Sequence, residues 1–140
     1  MTRFMLDTNT VSYIARNRSP EARRRFKEAE QQSPVYVSVI SEAEARYGLA
    51  KRPQARLASQ AMQEILEQLT ILPWTSEAAS AYGLLRARNE ALGISVGSLD
   101  MLIAAHALAE GAVLVTNDAA IAKLAGGPKT VDWATDLRWN

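Results

Sequence analysis

The chain has 140 residues, 48% hydrophobic and 22% charged, with a formal net charge of +1. Such a length and composition suit one globular domain, residues 1–140, and argue against disorder. Cysteine is absent and His106 is the sole histidine, which excludes disulfide scaffolds, zinc and iron–sulfur ligand sets, thiol nucleophiles and HExxH sites.

In chain order, Arg3–Leu6 is a short apolar run ending at Asp7, as a buried strand would be. It reaches Asp7 too soon for a signal peptide, and no run approaches the roughly 18 apolar residues of a membrane span. With no cysteine, a reducing cytoplasm is the expected location. Thr8 or Asn9 is the expected cap of a helix to about Arg16, with Val11, Ile14 and Ala15 as its apolar stripe. Ser19-Pro20-Glu21 predicts N-cap, N1 proline and an acid in the first turn of a second helix, to about Gln31. Val35–Val39 is β-branched and aromatic enough for a strand.

Ser41 and Glu44 have capping-box spacing, which predicts a helix from there toward Ala50. Pro53 is expected to open a long amphipathic helix to about Leu69, before a short strand at Thr70–Leu72. Ser76 is the expected cap of another long helix closed by Gly93, and Ser98 that of a helix from Leu99 to about Glu110, closed by Gly111. A strand at Val113–Thr116, a short helix at Ala119–Ala125, a Gly126-Gly127-Pro128 turn and a strand at Thr130–Trp133 complete the pattern. Alternating strands and helices predict an α/β fold, a central parallel sheet with helices on both faces. Ligands of such sheets bind beyond the carboxyl ends of the strands, where strand order reverses.

Four acids map to that edge. Asp7 follows the first strand, and Asp118 stands two residues beyond the strand Val113–Thr116. Asp100 and Glu44 fall in the first turns of their predicted helices. Gathering them costs Coulomb repulsion unless a cation is present, and an all-oxygen ligand set suits Mg²⁺ or Mn²⁺. Each also has a plain structural role. Glu44 can complete the capping box with Ser41, Asp100 can complement its helix dipole, and Asp7 and Asp118 can cap the turns that follow them.

From Arg16 to Lys27 the chain carries +5, leaving −4 for the remainder. This window, with Arg23, Arg24 and Arg25 at its centre, is either a solvated helix face or a track for an RNA backbone. His106 lies six residues and about 600° of helical turn beyond Asp100, so packing is favoured over catalysis. Trp74, Trp133 and Trp139 are scattered, and are expected in the core or at an interface.

The ordered motifs carry a family resemblance. Leu6-Asp7-Thr8-Asn9 resembles the opening of PIN-domain ribonucleases, specifically the VapC toxins of prokaryotic toxin–antitoxin pairs. Val37–Ser41 followed by Glu44-Ala45-Arg46-Tyr47-Gly48 is similar to that family's second strand and Glu-Leu-x-x-Gly segment. Arg86, Gly93, Gly97 and Asp100 reproduce its Arg…Gly…Gly-x-x-Asp spacing, and Leu114–Asp118 resembles its closing Thr-Asn-Asp strand. The sequence departs from the family where Ala45 replaces the usual leucine and Ser95 a frequent proline. The position four before Gly48 favours Glu44 over Glu42 as the second acid.

The resemblance implies a Mg²⁺- or Mn²⁺-dependent endoribonuclease, with Asp7, Glu44, Asp100 and Asp118 catalytic and Asp7, Asp100 and Asp118 holding metal. Glu44 completes the shell or orients the attacking water, and the number of metals stays open. Asn9 and Thr116 can support a water or phosphate, and Arg86 can neutralise a carboxylate or clamp phosphate. The family also implies a structured RNA substrate such as tRNA, a VapB-like antitoxin and a homodimer. A receiver domain would need an acid pair after the first strand, and a haloacid-dehalogenase phosphatase Asp-x-Asp, where this chain has Asp7-Thr8-Asn9. A catalytically silent PIN-like module that binds RNA or protein would not need all four acids.

Overall fold

The computed structural model describes residues 1–137. It runs β1 (Phe4–Leu6), α1 (Thr8–Ala15), α2 (Pro20–Gln32), β2 (Val35–Ser38), α3 (Val39–Ala50), α4 (Arg56–Gln68), β3 (Thr70–Leu72), α5 (Ser76–Ala91), α6 (Ser98–Ala109), β4 (Val113–Val115), α7 (Ala119–Ala122) and β5 (Thr130–Val131). The strands form one sheet in the order β3-β2-β1-β4-β5, every neighbouring pair parallel. Chain progress moves outward from β1 to β3, then recrosses to β4 on the other side of β1. The reversal therefore lies between β1 and β4.

The period of two along the strands divides the core into two layers. Leu6, Val35, Val37 and Val115 point to the face covered by α1, α2 and α4, where Val11, Ile14, Phe26, Ile65 and Leu66 are buried. Met5 and Leu114 point to the opposite face, against Leu85 of α5, Met101 and Ile103 of α6 and Ile121 of α7. Both faces being covered, the central strands are apolar throughout rather than alternating. The expected α/β architecture, a parallel sheet between two helical layers, is what the chain adopts.

Element boundaries depart from expectation mostly at the caps. Asp7, not Thr8 or Asn9, caps α1, its Oδ1 accepting from Thr10 N at 2.8 Å. The Ser41–Glu44 capping box does not form. β2 runs straight into α3, so Ser38 takes the cap by accepting from Ile40 N (3.0 Å), and Ser41 lies inside the helix, its buried Oγ without a partner among the described residues. Pro53 lies in a turn, and α4 starts three residues later, at Arg56, without a side-chain cap. Thr75 rather than Ser76 caps α5, and Gly97 precedes α6 in place of a capping Ser98. Gly93 (φ 72°) and Gly111 (φ 64°) end their helices in the left-handed region that glycine occupies without strain. The short helix stops at Ala122 and the last strand at Val131. Trp133 instead buries itself edge-on against Phe4 (5.1 Å between ring centres). Trp139 lies outside the described residues. No described helix is long and apolar enough to cross a membrane.

Candidate active site: four carboxylates at the switch point

The strand-order reversal fixes where β1 and β4 release their chains. Asp7 N donates to Val115 O at 3.0 Å, tying the end of β1 to the end of β4, and Thr10 Oγ1 donates to the same carbonyl (3.1 Å). Asp7 is thereby held at the sheet edge as the cap of α1. Beyond β4, Thr116 Oγ1 accepts from Asp118 N (3.0 Å), and Asp118 Oδ1 accepts from Ala120 N (2.8 Å) and Ile121 N (3.4 Å) as the cap of α7. Asp100 sits in the first turn of α6 with Oδ2 over the Gly97 backbone, 3.5 Å from the position a Cβ would take there. Glu44, in α3, accepts from Thr8 Oγ1 through Oε1 at 2.6 Å. The structural roles considered for Asp7 and Asp118 are thus real, and each engages one named oxygen in its cap.

These acids feel one another. Asp7 is only 4% exposed, and burial pushes its carboxyl above the usual carboxylate range. Hydrogen bonds from Thr116 and Thr10 oppose that shift, and the charge of Asp118 adds to it. Asp100 is pushed up as well, first by burial and then by Asp118, Glu44 and Asp7. Among the described residues none of the four is paired with a cation, whereas Glu21, Glu28, Glu42, Glu90 and Glu110 all are. The result is a knot of uncompensated negative charge with oxygen donors only. That donor set fits a hard divalent cation. As arranged here, no three acidic or histidine side chains among the described residues are close enough together to hold an ion.

The remaining candidates fall differently. Thr116 belongs to the knot, and Asn9 is exposed at its rim, beside Thr8. Arg86 does not neutralise the cluster. Its Nε donates to Glu90 (2.6 Å) and its guanidinium to Tyr82 Oη (2.7 Å), pairings set by the i,i+4 geometry of α5. Glu42 likewise pairs with Arg46 (2.8 Å), leaving Glu44 as the acid of α3 that reaches the site. The centre of the basic window is engaged within the fold. Arg23 donates to Ile14 O (2.7 Å), while Arg24 and Arg25 pair with Glu21, whose carboxyl falls to about 2 under the hydrogen bonds of those guanidiniums.

Sequence reasoning missed Thr8 and Thr10, although Thr8 directly follows Asp7, and it missed Ser38, whose place between a strand and a helix was the available signal. Ser38 Oγ and His106 Nδ1 lie 2.7 Å apart, both residues fully buried.

Comparison with known proteins agrees with this architecture. The PIN domain family matches residues 4–127. The tRNA(fMet)-specific endonuclease VapC of Shigella flexneri is 32% identical over 136 residues, covering 96% of this chain and all of that protein. Ribonuclease VapC2 of Haemophilus influenzae is 35% identical over 118 residues, 84% of this chain and 88% of its own. Among solved structures, VapBC2 from Rickettsia felis, bound to a DNA fragment from its promoter, superposes with a TM-score of 0.87 at 27% identity, covering 94% of this chain and 99% of that one. With the carboxylate-bearing elements in that family's order and its fold matched almost end to end, the chain belongs to the PIN-domain family and is of the VapC type.

Proposed function

We propose that this chain is a divalent-cation-dependent endoribonuclease and the toxin of a VapBC-type pair, folded as one domain over residues 1–140. The observation that carries this reading is the knot of Asp7, Glu44, Asp100 and Asp118 at the switch point, mutually repelling and, among the described residues, without a cationic partner. A cap role accounts for one oxygen each of Asp7 and Asp118, and it explains neither Glu44, which lies beyond the first turn of α3, nor the convergence of the four. Mg²⁺ or Mn²⁺, held by Asp7, Asp100 and Asp118, supplies charge neutralisation and Lewis acidity at the scissile phosphodiester. The chain's own residues do the rest. Asp7 and Asp118 are anchored by their caps, Thr8 steadies the Glu44 carboxylate, and Glu44 accepts a proton from the attacking water.

The names of the relatives support the substrate class, with tRNA the first RNA to try. The Rickettsia felis VapBC2 complex supports a VapB-like antitoxin as partner. In this reading the antitoxin covers the carboxylate edge, with an arginine or lysine supplying positive charge there. A homodimer belongs to the same reading, as does action in the cytoplasm. The test is incubation of purified protein with total RNA and Mg²⁺, followed by mapping of new ends. Cleavage at discrete sites, lost in EDTA and in Asp100→Asn, is the expected outcome. Undiminished cleavage in EDTA refutes the metal-dependent reading, and no cleavage of any RNA refutes the nuclease.

A further inference from the structure

A cleft of about 410 Å³ opens beside the carboxylate knot, between α1, α3 and the start of α4. Its two walls share a polarity. α1 and α3 both begin at the carboxyl ends of strands, and both present residues to the cleft at i,i+4 spacing. Thr8, Ser12 and Arg16 follow one another along α1, and Glu44, Gly48 and Arg52 along α3 and its exit. At the inner end Thr8 is hydrogen-bonded to Glu44. At the outer end stand Arg16, Lys51 and Arg52, all exposed and, among the described residues, paired with no acid. Eight helical residues separate the ends, about 12 Å at 1.5 Å per residue.

Gly48 supplies the second observation. It lies within α3, where glycine weakens a helix relative to alanine, and a Cβ built there meets nothing within 4 Å. No packing among the described residues requires glycine at that position, and its left-handed freedom is unused. What its missing side chain does provide is an open floor, one helical turn outward from Glu44.

We infer that this cleft is the track for the RNA strand: the sugar–phosphate backbone leaving the carboxylate knot passes over Gly48, with Arg16, Lys51 and Arg52 neutralising its phosphates at the far end. The inference rests on the ribonuclease reading for the identity of the strand. It assigns phosphate contacts to three cations with no acidic partner among the described residues, Lys51 resting over the Tyr47 ring, whereas Arg23, Arg24 and Arg25 are already engaged within the fold. Charge complementarity selects the occupant, since a polyanion that ends at a metal-dependent site needs cations along its approach.

The test is fluorescence anisotropy of a labelled mixed-sequence single-stranded RNA in EDTA, where binding is separated from cleavage, across a salt titration. Replacing Arg16, Lys51 and Arg52 together by alanine is expected to flatten the log–log salt slope by about 2, at about 0.7 per phosphate contact on single strands. Lys129→Ala, at the opposite end of the sheet before β5, leaves the slope as in the wild type. Gly48→Ala is expected to raise the thermal midpoint and weaken RNA binding at once, a combination that loss of folding does not produce. A wild-type slope in the triple variant overturns the track. So does loss of binding to an acidic peptide such as oligoglutamate with RNA binding intact, which would make the cleft a seat for a protein segment. If the triple variant shows the expected slope change but the wild type cleaves no RNA with Mg²⁺, the track stands and the nuclease reading falls.

Discussion

At the residue scale, Asp7 is at once a helix cap and a member of a repulsive cluster, and asparagine separates the two roles because it also caps well. Burial holds the folded carboxyl above its ordinary value of 3.8. Between that value and the raised one, the folded chain binds the proton that the unfolded chain has released, so stability falls as pH rises through the window. Asp7→Asn is therefore expected to be level with or more stable than wild type at neutral pH in EDTA, and to lack this pH-dependent component. Urea unfolding of both proteins from pH 4 to 7 checks it, and a loss of several kcal/mol on substitution would make the carboxylate structural instead. The two glutamates of α3 offer a second contrast. Glu44→Gln is expected to abolish cleavage, since Glu44 reaches Thr8 at the site, while Glu42→Gln removes only an exposed pair with Arg46 and shifts stability by no more than about 0.5 kcal/mol. Cleavage assays with the two variants, read beside their melting curves, decide between them. The reverse ranking would put the register of the site two residues off.

At the element scale, what sets the spacing of Glu44 from Asp100 is the packing of α3 against α6. Ser38 caps α3 six residues before Glu44, and His106 lies on α6 six residues after Asp100. Their 2.7 Å hydrogen bond, wholly buried, is a cross-link between the two helices. Among the described residues His106 Nε2 has no hydrogen-bond partner, the Glu110 carboxylate standing 3.9 Å away, and Trp74 packs edge-on against the ring. His106→Leu removes the partner of a buried hydroxyl, at an expected cost of about 1–3 kcal/mol. Burial lowers the His106 pKa, with Glu110 opposing. Below the ordinary value of 6.5 the unfolded chain takes up a proton that the folded imidazole refuses, so wild-type stability declines on acidification there. The sign is opposite to that of Asp7, and His106→Leu lacks the component. Thermal denaturation of wild type and variant at pH 7 and pH 5 measures it, and identical pH dependence would contradict the buried neutral imidazole.

For the whole molecule, a ligand bound only by the folded state adds stability by mass action, about 2.7 kcal/mol at one hundred times its dissociation constant. Mg²⁺ or Mn²⁺ is therefore expected to raise the melting temperature, with EDTA reversing the shift. In a chain carrying Asp7→Asn, Asp100→Asn and Asp118→Asn together the shift should vanish, while the metal-free melting temperature stays level or rises as the repulsion is relieved. Calorimetry of both proteins with and without cation decides this. An equal shift in the triple variant would place the bound ion elsewhere.

Much of this was written into the sequence, because strand and helix periodicity are local properties. The alternating elements, the parallel sheet and the edge that carries Asp7, Glu44, Asp100 and Asp118 follow from apolar runs and from the turn residues between them. The caps were less legible: serine, threonine and aspartate cap with similar ease, and one residue of offset, as from Ser41 to Ser38, depends on where a strand stops. Only the tertiary structure decided which charges are free. Arg23, Arg24 and Arg25 stand out as the densest basic run in the chain, yet their partners Ile14 and Glu21 lie close along the same folded helices and absorb them. Arg16 is far in sequence from Lys51 and Arg52, and the three share one cleft because α1 and α3 start from neighbouring strands of the sheet. Residue types and spacing specify what each segment can form, while pairing energies depend on distances that exist only once the segments have packed.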